Sequence, residues 1–197
     1  MEDNRKETIL TLALVNVHGQ TGLNQSKQKQ IETFLHHHKI DILHLQETNI
    51  LEDTFSNCNL INSSYNILSN NSPTKYGTAS LIKSDLEAEN LVCDAEGRVL
   101  IFDIGNITFG NLYLPSGTDA KSRASREQYY AETIPKLLIH SKSTGCIGGD
   151  LNSITDKKDA TKYPEAKMSP SFQRLAKTIK WQDCFRDLHP NDKIFSR

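Results

Sequence analysis

Two short runs near the start of the chain, residues 8–16 (TILTLALVN) and 40–46 (IDILHLQ), are apolar on both alternating faces. A strand with one wet face alternates apolar and polar residues, so runs like these belong to strands covered on both sides. Between them, Ile31, Phe34, Leu35 and His38 stand at i, i+3, i+4 and i+7, which predicts a helix over 26–38 with one apolar face. Strands covered on both sides need at least one further layer, and the rest of the chain supplies it. After a polar loop rich in Asn and Ser, short strands are predicted at 65–68, 78–83, 90–94, 98–104 and 107–114, the last two joined by a Gly105-Asn106 hairpin turn. A second helix is expected over 122–140, kinked at Pro135, then a strand over 144–149 that ends at Asp150. Ser169-Pro170 starts a further helix, with Phe172, Leu175, Ala176 and Ile179 as its apolar stripe. Strands that come both singly between helices and in a consecutive run predict an α+β chain of packed sheets with helices outside. No GxGxxG or GxxxxGK[ST] is present, against a simple doubly wound nucleotide binder.

The 197 residues are the length of one domain, and folding should remove roughly 70% of the extended chain's surface from water. With 37% hydrophobic and 24% charged residues, 10 Gly and 6 Pro, collagen-like, low-complexity and largely disordered classes are excluded. No apolar run approaches the ~20 residues that span a bilayer, so no membrane partner is expected. Cys58, Cys93, Cys146 and Cys184 are far apart and form no zinc-type cluster, and are expected as buried thiols of a reducing compartment. Lys and Arg number 23 against 24 Asp and Glu, for a net charge of −1. A protein held to nucleic acid by counterion release alone would be more basic. If DNA is the partner, the positive charge must be local or come from a divalent cation.

The informative polar residues close apolar strands. Asn16 ends the first (VNVHG), Glu47 follows the second (LHLQET), Tyr113 lies in NLYLPSG, and Asp150 and Asn152 follow in GCIGGDLN. Singly, each is most simply a turn or cap residue. Together, two carboxylates and two amides at one sheet edge suit a hard cation such as Mg²⁺, which takes one or two carboxylates plus water and phosphate oxygens. Lys121, Arg123 and Arg126 crowd the segment after Tyr113 and are the candidate basic patch. The run Asp156-Lys157-Lys158-Asp159 reads as a solvated loop or, alternatively, as lysines for phosphate. His36-His37-His38 reads as a solvated helix face with His38 partly inward; Trp181 and Phe185 read as core.

The ordered set N…QET…EGR…NLYLP…GGDLN resembles the endonuclease/exonuclease/phosphatase superfamily, which includes exonuclease III and the apurinic/apyrimidinic endonucleases. The later stretch WQDCFRDLHP most resembles the endonuclease domains of LINE-type retrotransposons. The resemblance implies a DNase I-like, four-layer α/β/β/α sandwich of two packed mixed sheets. It implies Mg²⁺, with Mn²⁺ as a substitute, held by Glu47 with support from Asn16. Asp150 would orient or activate the attacking water, Asn152 would bond a phosphate oxygen, and Tyr113 would contact the scissile phosphate. Arg98 would order the site or bind backbone phosphate, and His18 could donate to a phosphate. The implied partners are double-stranded DNA and a reverse transcriptase domain of the same polyprotein; the reaction would be nicking in the nucleus to leave a 3′-hydroxyl that primes reverse transcription. His18 stands where the repair enzymes carry an acidic residue and LINE endonucleases usually an Asn. The family's last two motifs, a Ser-Arg-Ile-Asp-type strand and a terminal Ser-Asp-His, have no counterpart before Phe195-Ser196-Arg197, so an incomplete active site is expected. Two alternatives stand beside the nicking enzyme: an apurinic-site repair endonuclease, and a non-catalytic DNA-binding or assembly fragment.

Overall fold

The computed structural model describes residues 9–18, 23–48, 50, 54–72, 77–139, 141–162 and 164–192. Eight strands among these make two four-stranded mixed sheets. In the first, β1 (Leu12–Asn16) pairs in parallel with β2 (Ile42–Gln46), β2 pairs antiparallel with β4 (Gly77–Lys83), and β4 with β3 (Tyr65–Asn71). In the second, β5 (Ala88–Cys93), β6 (Val99–Ile104) and β7 (Ile107–Tyr113) form an antiparallel meander, and β8 (Thr144–Asp150) adds in parallel to β7. Each parallel pair is joined by a helical crossover, as parallel pairing requires. Helix α1 (Gln25–His38) links β1 to β2. The crossover from β7 to β8 runs through α3 (Ala120–Gln128), a π-helical turn (Tyr129–Thr133) and α4 (Ile134–Leu137).

Strand parity builds the layers. Leu43, Leu45, Ala79 and Leu81 face outward from the first sheet onto Ile31 and Leu35 of α1 and Ile61 of α2 (Asn59–Ser64). Val99, Ile101, Leu112 and Leu114 face outward from the second onto Tyr129, Tyr130 and Ile134, and onto Phe172 and Leu175 of a further helix (Pro170–Thr178). Ile42, Ile82, Leu100, Phe102 and Phe109 fill the space between the sheets. Full burial of such side chains contributes about 1.5–3 kcal/mol each, so the sandwich is held from three apolar layers. The architecture is the expected α/β sandwich of two packed mixed sheets.

Several local expectations are corrected. The Asn- and Ser-rich segment contains α2, anchored by the single buried Ile61. The break in the second long helix is the π turn at Tyr129–Thr133, ahead of Pro135. The strands at 65–68 and 90–94 run over Tyr65–Asn71 and Ala88–Cys93, and the first starts at Leu12, with residue 8 outside the described set. Only Cys58 is buried; Cys93, Cys146 and Cys184 are exposed thiols. Phe185 is exposed rather than core, while Trp181 packs against the outer face of the second sheet. His38 is exposed, its ring 4.7 Å from that of Phe34. Helix 170–178 starts as expected, with Ser169 Oγ accepting from Phe172 N–H at 3.0 Å.

β1 lies across the sandwich from β8: a Cβ on Gly148 would come 2.4 Å from Leu14 Cδ2. Among the described residues, β1 pairs only with β2 and β8 only with β7, so both outer edges open on the same side.

Candidate active site

The two parallel pairs end together. Asn16 is paired with Gln46 at the end of β1 and β2, and Tyr113 with Asp150 at the end of β7 and β8. Even-numbered residues of β1, β2 and β8 and odd-numbered residues of β7 face the interlayer, so Asn16, Tyr113 and Asp150 all point into the same gap. Glu47 has the wrong parity and reaches the gap through its backbone, which takes φ +56°. A left-handed turn at a Glu is costly, and such strain survives only where neighbours hold it. Here Thr48 N–H donates to Gly77 O at 2.9 Å, and Gly77 itself leaves no room for a side chain, since a Cβ would lie 2.3 Å from Thr48 O.

Asn16 is the hub. Its Oδ1 accepts from His18 N–H at 2.9 Å, an Asx turn that fixes which end of the amide faces the gap. Its Nδ2 then donates to Glu47 Oε1 at 3.0 Å and to Asp150 Oδ2 at 2.9 Å. One amide thus holds the two carboxylates on either side of it. The turn that carries His18, itself at φ +47°, is gripped by Lys27, whose Nζ donates to Val17 O (2.6 Å) and His18 O (3.1 Å). Tyr113 is almost fully buried with its hydroxyl close to Glu47; burial first, and the Glu47 charge second, hold that hydroxyl well above its ordinary pKa. It is therefore a neutral donor at any working pH. Asn152, at φ +47°, donates through Nδ2 to Leu114 O at 2.9 Å, and its N–H bonds Asp150 Oδ1 at 3.2 Å.

Asn16, Glu47, Tyr113, Asp150 and Asn152 are brought together; two members of the expected basic set are not surface groups. Arg98 is buried: its guanidinium stands 5.1 Å from the Tyr113 ring centroid and donates to Tyr113 O at 3.1 Å, so it underlies the site instead of meeting DNA from outside. Arg126 is also buried and donates to the carbonyls of Pro115 (2.7 Å), Gly117 (3.1 Å) and Ala166 (3.0 Å). These bonds stitch the loop after β7 to the segment before the last long helix. Lys121, Arg123 and His18 are exposed. Lys157 pairs with Glu165 at 2.7 Å, and Lys158 bonds Asp156 and Pro190 O, so that run is a short 3-10 turn tied to the segments around it.

Behind the site lies a polar interlayer that the motif reading missed. Gln46 and Asn111 bridge the sheets, and His44 Nδ1 shares a hydrogen bond of 2.8 Å with Ser80 Oγ. A signal was present: His44 and Gln46 interrupt ILHLQ, and Asn111 interrupts TFGNLY, at the parity of the site residues. No group of three or more His, Cys, Asp or Glu side chains gathers for a metal among the described residues. The site offers two carboxylates, which matches the sparing use of protein ligands by Mg²⁺ and falls short of a zinc or calcium cage.

No family model matches the chain, and no curated protein matches it. Among solved structures it is similar to an AP endonuclease from Archaeoglobus fulgidus, with a TM-score of 0.75 and 22% identity over 95% of this chain and 77% of that one. The fold is DNase I-like. A 3′ phosphatase, NExo from Neisseria, bound to a product DNA hairpin, matches with a TM-score of 0.71 and 19% identity, over 92% of this chain and 75% of the other. Truncated TDP2 from Caenorhabditis elegans matches at 0.54 and 18%, over 79% of this chain and 66% of that one. A nuclease, a phosphatase and TDP2 therefore share this sandwich.

Proposed function

We propose that the chain is a divalent-metal-dependent phosphodiester hydrolase that nicks DNA. The observation that carries this reading is the pair of carboxylates, Glu47 and Asp150, held on one Asn16 amide where the two parallel strand pairs end. Glu47 would hold Mg²⁺, or Mn²⁺ in its place, with Asn16 in support; the metal would supply positive charge against the phosphate oxygens. The chain's own residues do the rest. Tyr113 keeps the Glu47 carboxylate oriented by donating to it. Asp150 aligns a water and takes its proton as that water attacks phosphorus in line; the P–O3′ bond breaks opposite it, and the departing 3′-oxygen takes a proton from solvent to leave the 3′-hydroxyl. Asn152 and His18 stand beside Asp150 and Asn16 to donate to non-bridging oxygens as charge builds there. Lys121 and Arg123, exposed in the first turn of α3, draw the duplex backbone to this end of the sandwich, which reconciles a net charge of −1 with a nucleic-acid substrate.

Within that class, the tail WQDCFRDLHP supports a LINE-type role: nicking chromosomal DNA in the nucleus to leave a 3′-hydroxyl that a reverse transcriptase of the same polyprotein extends; His18, in place of an acidic residue, weighs only against the repair enzymes. The likeness to an AP endonuclease supports a second reading, incision at abasic sites.

The test is plasmid nicking with Mg²⁺ by the wild type and by Glu47→Ala. Wild-type nicking that Glu47→Ala abolishes is the expected result. DNA binding without nicking under every condition would make the chain a binding module, and a preference for abasic duplex would move the assignment to repair.

A further inference from the structure

We propose that Asn111, acting with Gln46, is a positioning residue for the site: a buried amide pair that fixes the spacing of the two sheets one residue behind Glu47. The inference rests on the metal-dependent reading above. Asn111 is fully buried in β7, and three of its four side-chain hydrogen-bonding capacities are spent across the interlayer. Its Oδ1 accepts from Gln46 Nε2 at 2.8 Å, and its Nδ2 donates to Leu45 O at 3.1 Å and to Ala79 O at 2.8 Å. One side chain of the second sheet thus grips both central strands of the first, β2 by side chain and backbone and β4 by backbone.

Position in the sandwich gives this grip its consequence. Away from the site the sheets meet through Ile42, Ile82, Leu100, Phe102 and Phe109. Such contacts are non-directional and tolerate small sliding. Hydrogen bonds of 2.8–3.1 Å do not, because they weaken steeply outside a narrow range of distance and angle. Gln46 directly precedes Glu47, whose left-handed backbone must be held from outside. Asn111 lies two residues before Tyr113 on the same face of β7, and the Tyr113 hydroxyl faces the Glu47 carboxylate. Gln46–Asn111 and Glu47–Tyr113 are therefore successive rungs between the same two strands, the first dry and structural, the second at the chemistry. If the first rung is lost, Glu47 can shift against Asp150 with the sandwich still folded.

The test uses the full chain with three readouts: the urea midpoint, Mn²⁺ affinity from the loss of the free-ion electron paramagnetic resonance signal, and the kcat and KM of plasmid nicking. Gln46→Met removes one bond and leaves both Asn111–carbonyl bonds in place. It is expected to fold, to weaken Mn²⁺ binding at least fivefold, and to lower kcat at least tenfold with KM within twofold. The double variant Gln46→Leu/Asn111→Leu makes both partners apolar, so it should recover much of the midpoint lost in Asn111→Leu alone, yet recover neither Mn²⁺ affinity nor kcat. A Gln46→Met protein that matches wild type within twofold in both Mn²⁺ affinity and kcat overturns the proposal. So does a double variant restored to wild-type metal affinity, or a Gln46→Met chain that does not fold, since the bridge would then be a pillar of the fold. Should wild type bind Mn²⁺ through Glu47 but never nick, the nuclease reading fails and the metal affinities alone decide this inference. A wild type that neither binds Mn²⁺ nor nicks overturns both.

Discussion

Replacing Asn16 by Leu tests the hub of the site through stability alone. Leu keeps the volume but removes the amide, so Glu47 Oε1 and Asp150 Oδ2 each lose a donor, at 3.0 and 2.9 Å, and His18 N–H loses its acceptor. A hydrogen bond to a charged group contributes about 1.5–3 kcal/mol. Both carboxylates are only part-buried, so water replaces a share of what is lost, and the two now face one another without the amide between them. Halving the gross sum of about 3–6 kcal/mol for solvent gives a loss of about 1.5–3 kcal/mol. For a chain of this size that lowers the melting temperature by roughly 3–12 °C, and a urea midpoint by about 1 M at a slope near 2 kcal/mol/M. The assay is urea unfolding by circular dichroism, without divalent metal, on wild type, Asn16→Leu, Glu47→Gln and the double variant. Coupling between positions 16 and 47 should come to about 1–2 kcal/mol. An Asn16→Leu midpoint within experimental error of wild type would refute the bridging role, since no such bond could then be holding the carboxylates.

Acid sensitivity should centre on His44. Burial lowers its pKa from 6.5 to about 3, so the folded state keeps it neutral while the unfolded chain takes up a proton below pH ~6.5. Its contribution to stability is full above that pH and is lost as pH falls toward 3; between pH 7 and 5 the loss is about 2 kcal/mol. His44→Gln should lack this share of the pH dependence in paired urea titrations, and equal slopes would count against it. The two kinds of basic residue should separate cleanly. Arg126→Met, which orphans three carbonyls, should cost about 2–4 kcal/mol in stability while leaving the salt dependence of DNA binding unchanged. Lys121→Ala and Arg123→Ala should each leave stability within ~0.5 kcal/mol and flatten the log–log salt slope by about 0.9, read by fluorescence anisotropy.

What the sequence disclosed follows from which forces act locally. Asn16, Glu47, Asp150 and Tyr113 were legible because each closes an apolar strand, and a polar residue there stands out against the pattern. The layers were legible because strands apolar on both faces need cover. Glu47's kinked backbone was not, since its parity points away from the gap and only the neighbouring chain shows why φ turns positive. Arg126 sits in AKSRASREQ, a segment with no apolar cue, and its burial depends on carbonyls 9 to 40 residues away in the chain. Helix α2 hangs on one side chain, Ile61, too little to set a period. The exposed thiols of Cys93, Cys146 and Cys184 depend on which faces other segments cover, which composition cannot tell.

The bond from Asn16 to Asp150 joins residues 134 positions apart, and this has a consequence for the protein's birth. At synthesis rates of about 5–20 residues per second, Asn16 and Glu47 leave the ribosome many seconds before Asp150 exists. The first sheet can be assembled in that interval with Asn16 on Glu47, yet it lacks the second carboxylate, Asp150. The pair of carboxylates on Asn16 arises only when β8, the last of the described strands, docks beside β7. On the proposed nuclease reading, a nascent or half-folded chain would lack the paired carboxylates, and nicking by a preparation would report that both sheets have closed.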